Sequence, residues 1–204
     1  MHNDRLPYVQ PGTVLYNPMI KDRVTMLATA SSTGGAYTLL RIELAPGGGN
    51  GLHTHDAFTE MFTALDGELG VSLNGKRRVL APGERAVVPP QAVHCFFNAS
   101  AEHPALFEVE LRPANAGFER SLVLAYGLAQ DGLTTEGGMP RSLLHLALLV
   151  HWSGTAPVGA VRVLLPLLRL AGRRLSRKAK YHALLRRYLR KCAIVPLDAR
   201  KLVA

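Results

Sequence analysis

The run His53-Thr54-His55, followed by Glu60 and later by His94, restricts what this chain can fold into more than any other feature it carries. Side chains alternate faces along an extended segment, so His53 and His55, two apart, project to the same side. Both imidazoles can then reach one point. Glu60, on the next extended run, can add a hard oxygen. His94 lies far along the chain and can join them only if two strand pairs face each other, as in a small barrel or sandwich. Three imidazoles and one carboxylate suit a single divalent ion such as Fe, Mn, Co, Ni, Cu or Zn, and four ligands on an octahedral ion leave two positions open.

The rest of the first half reads as strands. Val24 to Ala30, Tyr37 to Leu44, Thr59 to Leu65, Glu68 to Leu73, Arg77 to Leu80, Arg85 to Val88, Val93 to Asn98 and Leu106 to Leu111 are short, apolar or β-branched, and separated by Gly, Pro and Asn. Asn74-Gly75 is a strong hairpin signal. Short strands at this spacing predict an antiparallel barrel or jelly roll. Pro7, Pro11, Gly12 and Pro18 predict an irregular arm before it. The predicted layout is an arm over 1–22, a β-barrel over 23–112 and a basic helical extension over 113–204.

Two longer patterns surround the histidines. Gly47 to Gly67 reads G-x5-H-x-H-x4-E-x6-G, and Gly83 to Asn98 reads G-x5-P-x-Q-x2-H-x3-N. Together they resemble the paired motifs of the cupin superfamily, over roughly residues 37–112. The resemblance implies a cupin-type barrel holding one divalent metal on His53, His55, Glu60 and His94. Gln91 stands where the family usually has Gly. Gln adopts a positive φ less readily, so the loop before His94 is expected to be shaped differently. Cys95 should point away from the metal and serve packing.

The helical period begins after Pro113. Phe118, Leu122, Ala125, Tyr126 and Ala129 recur at helical spacing, and Ser142 to Trp152 is a nearly uncharged apolar helix. Pro157 is read as opening a third helix, bent at Pro166, with Val161, Leu164, Leu165, Leu168 and Leu175 on one stripe and Arg162, Arg169, Arg173, Arg177 and Lys180 on another. A fourth helix runs to Cys192. None of these reads as a membrane span, because Gly154, Pro157 and Gly159 break the longest uncharged stretch.

Charge divides unequally between the halves. Residues 1–111 hold 8 Lys/Arg and 11 Asp/Glu, a net of −3, while residues 112–204 hold 16 and 4, a net of +12. The basic helices are expected to pack on the barrel and a second subunit, making a homodimer, with a peripheral membrane contact as the alternative. Nucleic acid is disfavoured, since aromatic stacking platforms are few. Cys95 and Cys192 show no disulfide or zinc-ribbon spacing, and Met1 to Pro7 has no signal-peptide core, so a cytoplasmic location is expected.

The cupin resemblance specifies fold and metal more than reaction, since the family includes dioxygenases, decarboxylases, lyases, isomerases and sugar-binding or sensor barrels. Phe58, Glu60, Phe62 and Ala64 share strand parity, as do His94 and Phe96, so Phe58, Phe62 and Phe96 are expected to wall a substrate pocket beside the ion. Such a pocket suits a small aromatic or hydroxylated substrate. Glu60 is the expected proton acceptor. The first expectation is a dioxygenase-like oxidoreductase. The other is a non-catalytic binding or sensing protein whose basic helices touch a partner or membrane.

Overall fold

The computed structural model describes residues 6–197; the ends of the predicted arm and extension, 1–5 and 198–204, lie outside the described residues. Ten strands come first. They are β1 (Thr13–Asn17), β2 (Asp22–Ala28), β3 (Thr38–Leu44), β4 (His53–His55), β5 (Thr59–Asp66), β6 (Leu69–Leu73), β7 (Lys76–Leu80), β8 (Arg85–Val88), β9 (His94–Asn98) and β10 (Ala105–Arg112). Helix α1 (Ala116–Gln130) and helix α2 (Leu143–Ser153) follow, then strand β11 (Thr155–Pro157), a 3-10 turn over Ala160–Leu164, α3 (Leu165–Leu175), α4 (Ala179–Lys191) and β12 (Ala193–Ile194).

All strand pairs are antiparallel, in a seven-stranded sheet β12-β1-β2-β3-β10-β5-β8 and a five-stranded sheet β11-β4-β9-β6-β7. The expected barrel or jelly roll takes the form of two antiparallel sheets, whose ladders do not join among the described residues. Their inner faces meet through aromatic rings: Phe96 of β9 lies 6.1 Å from Phe62 of β5 and 5.3 Å from Phe107 of β10. Phe62 and Phe107 are fully buried, and each contributes about 2 to 3 kcal/mol of transfer free energy. The alternation in β5, with Glu60, Phe62 and Ala64 buried, is the period-2 pattern expected of a half-buried strand.

Three expectations change. The arm contains β1, which pairs with both β2 and β12, because its Thr-Val-Leu-Tyr core outweighs the flanking Pro and Gly. Pro157 opens no helix; Thr155–Pro157 is a strand on β4. Pro166 does not lie in a helix interior; it stands in the first turn of α3, where its missing N–H has no intrahelical partner to lose.

The helices are fastened to the sheets by buried polar contacts. Asn115 caps α1 by accepting from Phe118 N. One turn in, the Glu119 carboxylate accepts from the Thr38 hydroxyl at 2.6 Å and from Ala30 N at 2.7 Å. The Tyr126 hydroxyl donates to Asp22 of β2 at 2.5 Å. Helices α2 and α3 approach closely at Gly172, where a Cβ would collide with the Ala147 carbonyl. On α4, Tyr181, Leu185 and Tyr188 are buried, and Tyr188 seats on Gly127 of α1. Among the described residues, no helix is long and apolar enough to cross a membrane.

Candidate metal centre

The four motif residues converge between the sheets. His53 and His55 come from β4, His94 from β9, with His53 directly opposite His94 in register, and Glu60 reaches in from β5 of the other sheet. The His94 and Glu60 ends meet at 2.8 Å (Nε2 to Oε2), and His55 Nε2 lies 3.3 Å from the same oxygen. His53 Nε2 is 3.1 Å from His55 Nε2. One ligand atom from each of the four lies within 4.8 Å of the others. His94 is 0% and His55 3% exposed, so little solvent screens them.

The remaining ring nitrogens fix which atoms point inward. His53 Nδ1 is 2.8 Å from the Gly51 carbonyl and His94 Nδ1 is 3.0 Å from the Ala92 carbonyl. A carbonyl only accepts, so both Nδ1 atoms carry protons and the neutral rings present Nε2 lone pairs. His55 Nδ1 meets the Thr155 hydroxyl at 2.9 Å. With Nε2 unprotonated the rings and the Glu60 carboxylate present convergent electron-pair donors, and a proton on His94 Nε2 would instead be donated to Glu60 at 2.8 Å. The donor set therefore fits a divalent metal, with the outer partners orienting its ligands.

The cluster also shifts the protonation of His53, Glu60 and His94. Burial lowers the His53 pKa to about 3, helped by the charges of His55 and His94. For Glu60, burial pushes upward, but hydrogen bonds from His55 and His94 and their charges prevail and hold it well below the usual carboxylate range. Burial opposes protonation of His94, yet the bond to Glu60 and its charge raise it overall.

Two backbone devices hold the ligands. Gln91 takes the left-handed conformation at φ 68° that Gly would favour, and its N–H donates to the His55 carbonyl at 2.6 Å. The expected change of loop shape does not occur, because this anchor keeps the Gly-like turn. Strand β11, from the helical extension, runs along β4 with Thr155 opposite His55 and Pro157 opposite His53. Sequence reasoning missed Thr155, which has no spacing relation to the motifs.

A cavity of about 260 Å³ opens onto His53, His55 and Glu60. Its sheet wall includes Val24, Leu40, Ile42 and Val109, and its helix wall Phe118, Leu122, Leu149 and Val150. Of the three expected pocket aromatics, Phe96 lines the cavity. Phe58 and Phe62 are each 1% exposed and sit outside its lining. Phe58 lies 4.5 Å from the His55 ring and 5.5 Å from Phe118, so it backs a ligand, while Phe62 fills the space between the sheets. Phe118 and Leu122, read from sequence as a helix stripe, supply the wall instead. Cys95 alternates with His94 on β9 and is half-buried, and burial raises its thiol pKa, as suits a packing residue.

An open antiparallel pair of sheets bearing an inward His/His/Glu/His cluster defines a class of small β-domain with a candidate metal site. Residues 40–110, about a third of the chain, match the Cupin_2 cupin domain, which supports a cupin domain over that segment. Germin-like protein 12-2 of Oryza sativa subsp. japonica is 34% identical over 104 residues, which cover 46% of this chain and 44% of that protein. The chain thus spans less than half the length of this curated relative. Among solved structures, the TT1209 protein of Thermus thermophilus is 31% identical, covering 48% of this chain and 88% of that one at a TM-score of 0.42. KdgF from Halomonas sp. is 20% identical, covering 55% and 93% at a TM-score of 0.41.

Proposed function

We propose that this chain is a mononuclear metal-dependent oxidoreductase of dioxygenase type acting on a small aromatic or hydroxylated molecule. The observation that carries the reading is the convergence of His53, His55, His94 and the buried Glu60 carboxylate, with the Nδ1 atoms of His53 and His94 turned to carbonyls, beside a cavity. His53, His55, Glu60 and His94 would hold the ion. A redox-active ion held there would supply one-electron exchange between an organic ligand and dioxygen. Glu60 is the one carboxylate among the four; released from the ion, it would accept a proton from a substrate hydroxyl. The apolar walls exclude water from that exchange.

Elemental analysis of protein purified without chelators, followed by oxygen-consumption screening with phenolic compounds, tests the reading. Iron, manganese or copper near one per chain, with oxygen uptake dependent on one compound class, supports it. Full zinc occupancy without oxygen uptake would sink the oxidoreductase and leave a binding or sensing protein. His55→Ala should lose most of the metal and keep its circular-dichroism spectrum. Stoichiometric metal in that variant would refute the ligand set.

A further inference from the structure

The cavity's own polar groups are nearly all committed. The Tyr126 hydroxyl donates to Asp22 at 2.5 Å, the Ser153 hydroxyl to the Leu149 carbonyl at 2.7 Å, and Thr155 Oγ1 meets His55 at 2.9 Å. Ser121 points its hydroxyl at the Leu149 carbonyl, 3.4 Å away. Among the described residues no lysine or arginine lines the cavity. Asn50 differs. Its Oδ1 accepts from Phe96 N at 2.8 Å, which holds it beside the strand that carries His94, and its Nδ2 has no protein partner among the described residues.

Resting on the metal-site reading above, we infer that the cavity selects a ligand with one polar chelating end and an uncharged apolar body. The Asn50 amide donates to that polar end. A charge on the body would meet no counter-ion and no free donor, and an unpaired buried charge is strongly disfavoured. The volume of about 260 Å³ falls just under the roughly 300 Å³ of the smallest ordinary ligand pockets, so the ligand is smaller than drug size.

Calorimetric titration of zinc-loaded protein with 4-methylcatechol and with 3,4-dihydroxybenzoate tests this, because both share a chelating end and only one carries a charge on its body. The neutral catechol should bind roughly 100-fold more tightly. Asn50→Asp keeps the acceptor for Phe96 and removes the donor, so it should retain zinc and lose roughly tenfold in catechol affinity. Failure to take up zinc would overturn the metal reading on which the inference rests. Full zinc with equal affinities, or with neither compound bound, would overturn the inference alone.

The outer face of the extension carries a second inference, independent of the metal. Residues 137–197 contain 12 Lys/Arg and no Asp or Glu. Val163, Leu167 and Leu170 are 81%, 66% and 49% exposed, and their spacing places them on one side, opposite the buried Leu165, Leu168, Gly172 and Leu175 of α3. Arg162, Arg173, Arg174 and Arg177 are exposed around that stripe. Three other cations of the extension are paired, Arg169 with Asp56 and both Arg187 and Lys191 with Asp131.

We propose that this face docks on an anionic bilayer surface. An apolar stripe flanked by arginines, with Asp56 held in the pair with Arg169, is the arrangement of an interfacial helix. Sedimentation with phosphatidylcholine vesicles, with and without phosphatidylserine, tests it. Binding should require phosphatidylserine and weaken with salt, and each reversal at Arg173→Glu or Arg174→Glu, a change of two charges, should cost roughly 30-fold. Leu167→Ser with Leu170→Ser should abolish it while leaving the helical signal unchanged. Equal recovery in the supernatant with both vesicle types would overturn the proposal. So would a dimer in lipid-free light scattering that Leu167→Glu dissociates, because a second copy would then cover the face.

Discussion

Replacing Asp22 by Asn should remove a pH-dependent loss of stability that one buried carboxyl imposes. Asp22 is 1% exposed; one oxygen accepts from Tyr126, and the other has no partner. Burial outweighs the Tyr126 bond and lifts the pKa from 3.8 to about 7. Tyr126 cannot take the charge instead, since burial first and then the Asp22 charge push its hydroxyl well above its ordinary value. An acid whose pKa is raised by folding binds protons more tightly in the folded state. Stability therefore falls as pH rises from the unfolded value of 3.8 through about 7. A gap of about three units corresponds to about 4 kcal/mol. Asn keeps an acceptor for Tyr126 and cannot ionise, but its amide nitrogen gains no partner, which costs about 1 kcal/mol. The variant should thus be about 1 kcal/mol less stable than the parent near pH 4 and about 3 kcal/mol more stable near pH 8. Urea unfolding across that range measures both, and the difference between the two proteins cancels the other titrating groups. Parallel stability curves would refute the reasoning.

Thr155→Val should lower metal affinity roughly 10- to 100-fold in chelator competition, and Thr155→Ser should restore it, because the hydroxyl rather than the methyl orients His55; equal affinity in Val and Ser variants would reject that role. Gln91→Gly should raise the urea midpoint by the equivalent of about 1 kcal/mol, since the left-handed conformation at φ 68° strains Gln and not Gly. A lower midpoint would show the Gln side chain to be stabilising. Gly172→Ala should lower the melting temperature by an amount equivalent to about 2 kcal/mol, because the added methyl forces α3 off α2 at the Ala147 carbonyl; an unchanged melting temperature would show that the two helices part freely.

Much of the sheet and the metal cluster was legible because both depend on local period. Phe62 and Glu60 share parity on one strand, and His53 and His55 share it on another, so the fold had few ways to bring them together. Strand β11 was not legible. Thr155, Ala156 and Pro157 carry no alternating pattern of their own and are extended because β4 offers them an unpaired edge. The pocket wall failed for a related reason: Phe118 and Leu122 repeat at helical spacing, which fixes that they face inward, where they are half-buried, but not what they face. Gln91 misled because side-chain preference at positive φ is weak beside an anchoring hydrogen bond to His55.

The pairing of β11 with β4 bears on modularity. The residues that match the cupin family end at 110, yet the strand lying along two of the four ligands begins at Thr155. A fragment cut at the family boundary would leave β4 as a raw edge, its amides and carbonyls open to pairing with another molecule. Exchange of the sheet portion between relatives, or deletion of the helices as an appendage, would therefore disturb the ligands directly. In this chain the smallest unit that can be swapped intact reaches past Pro157.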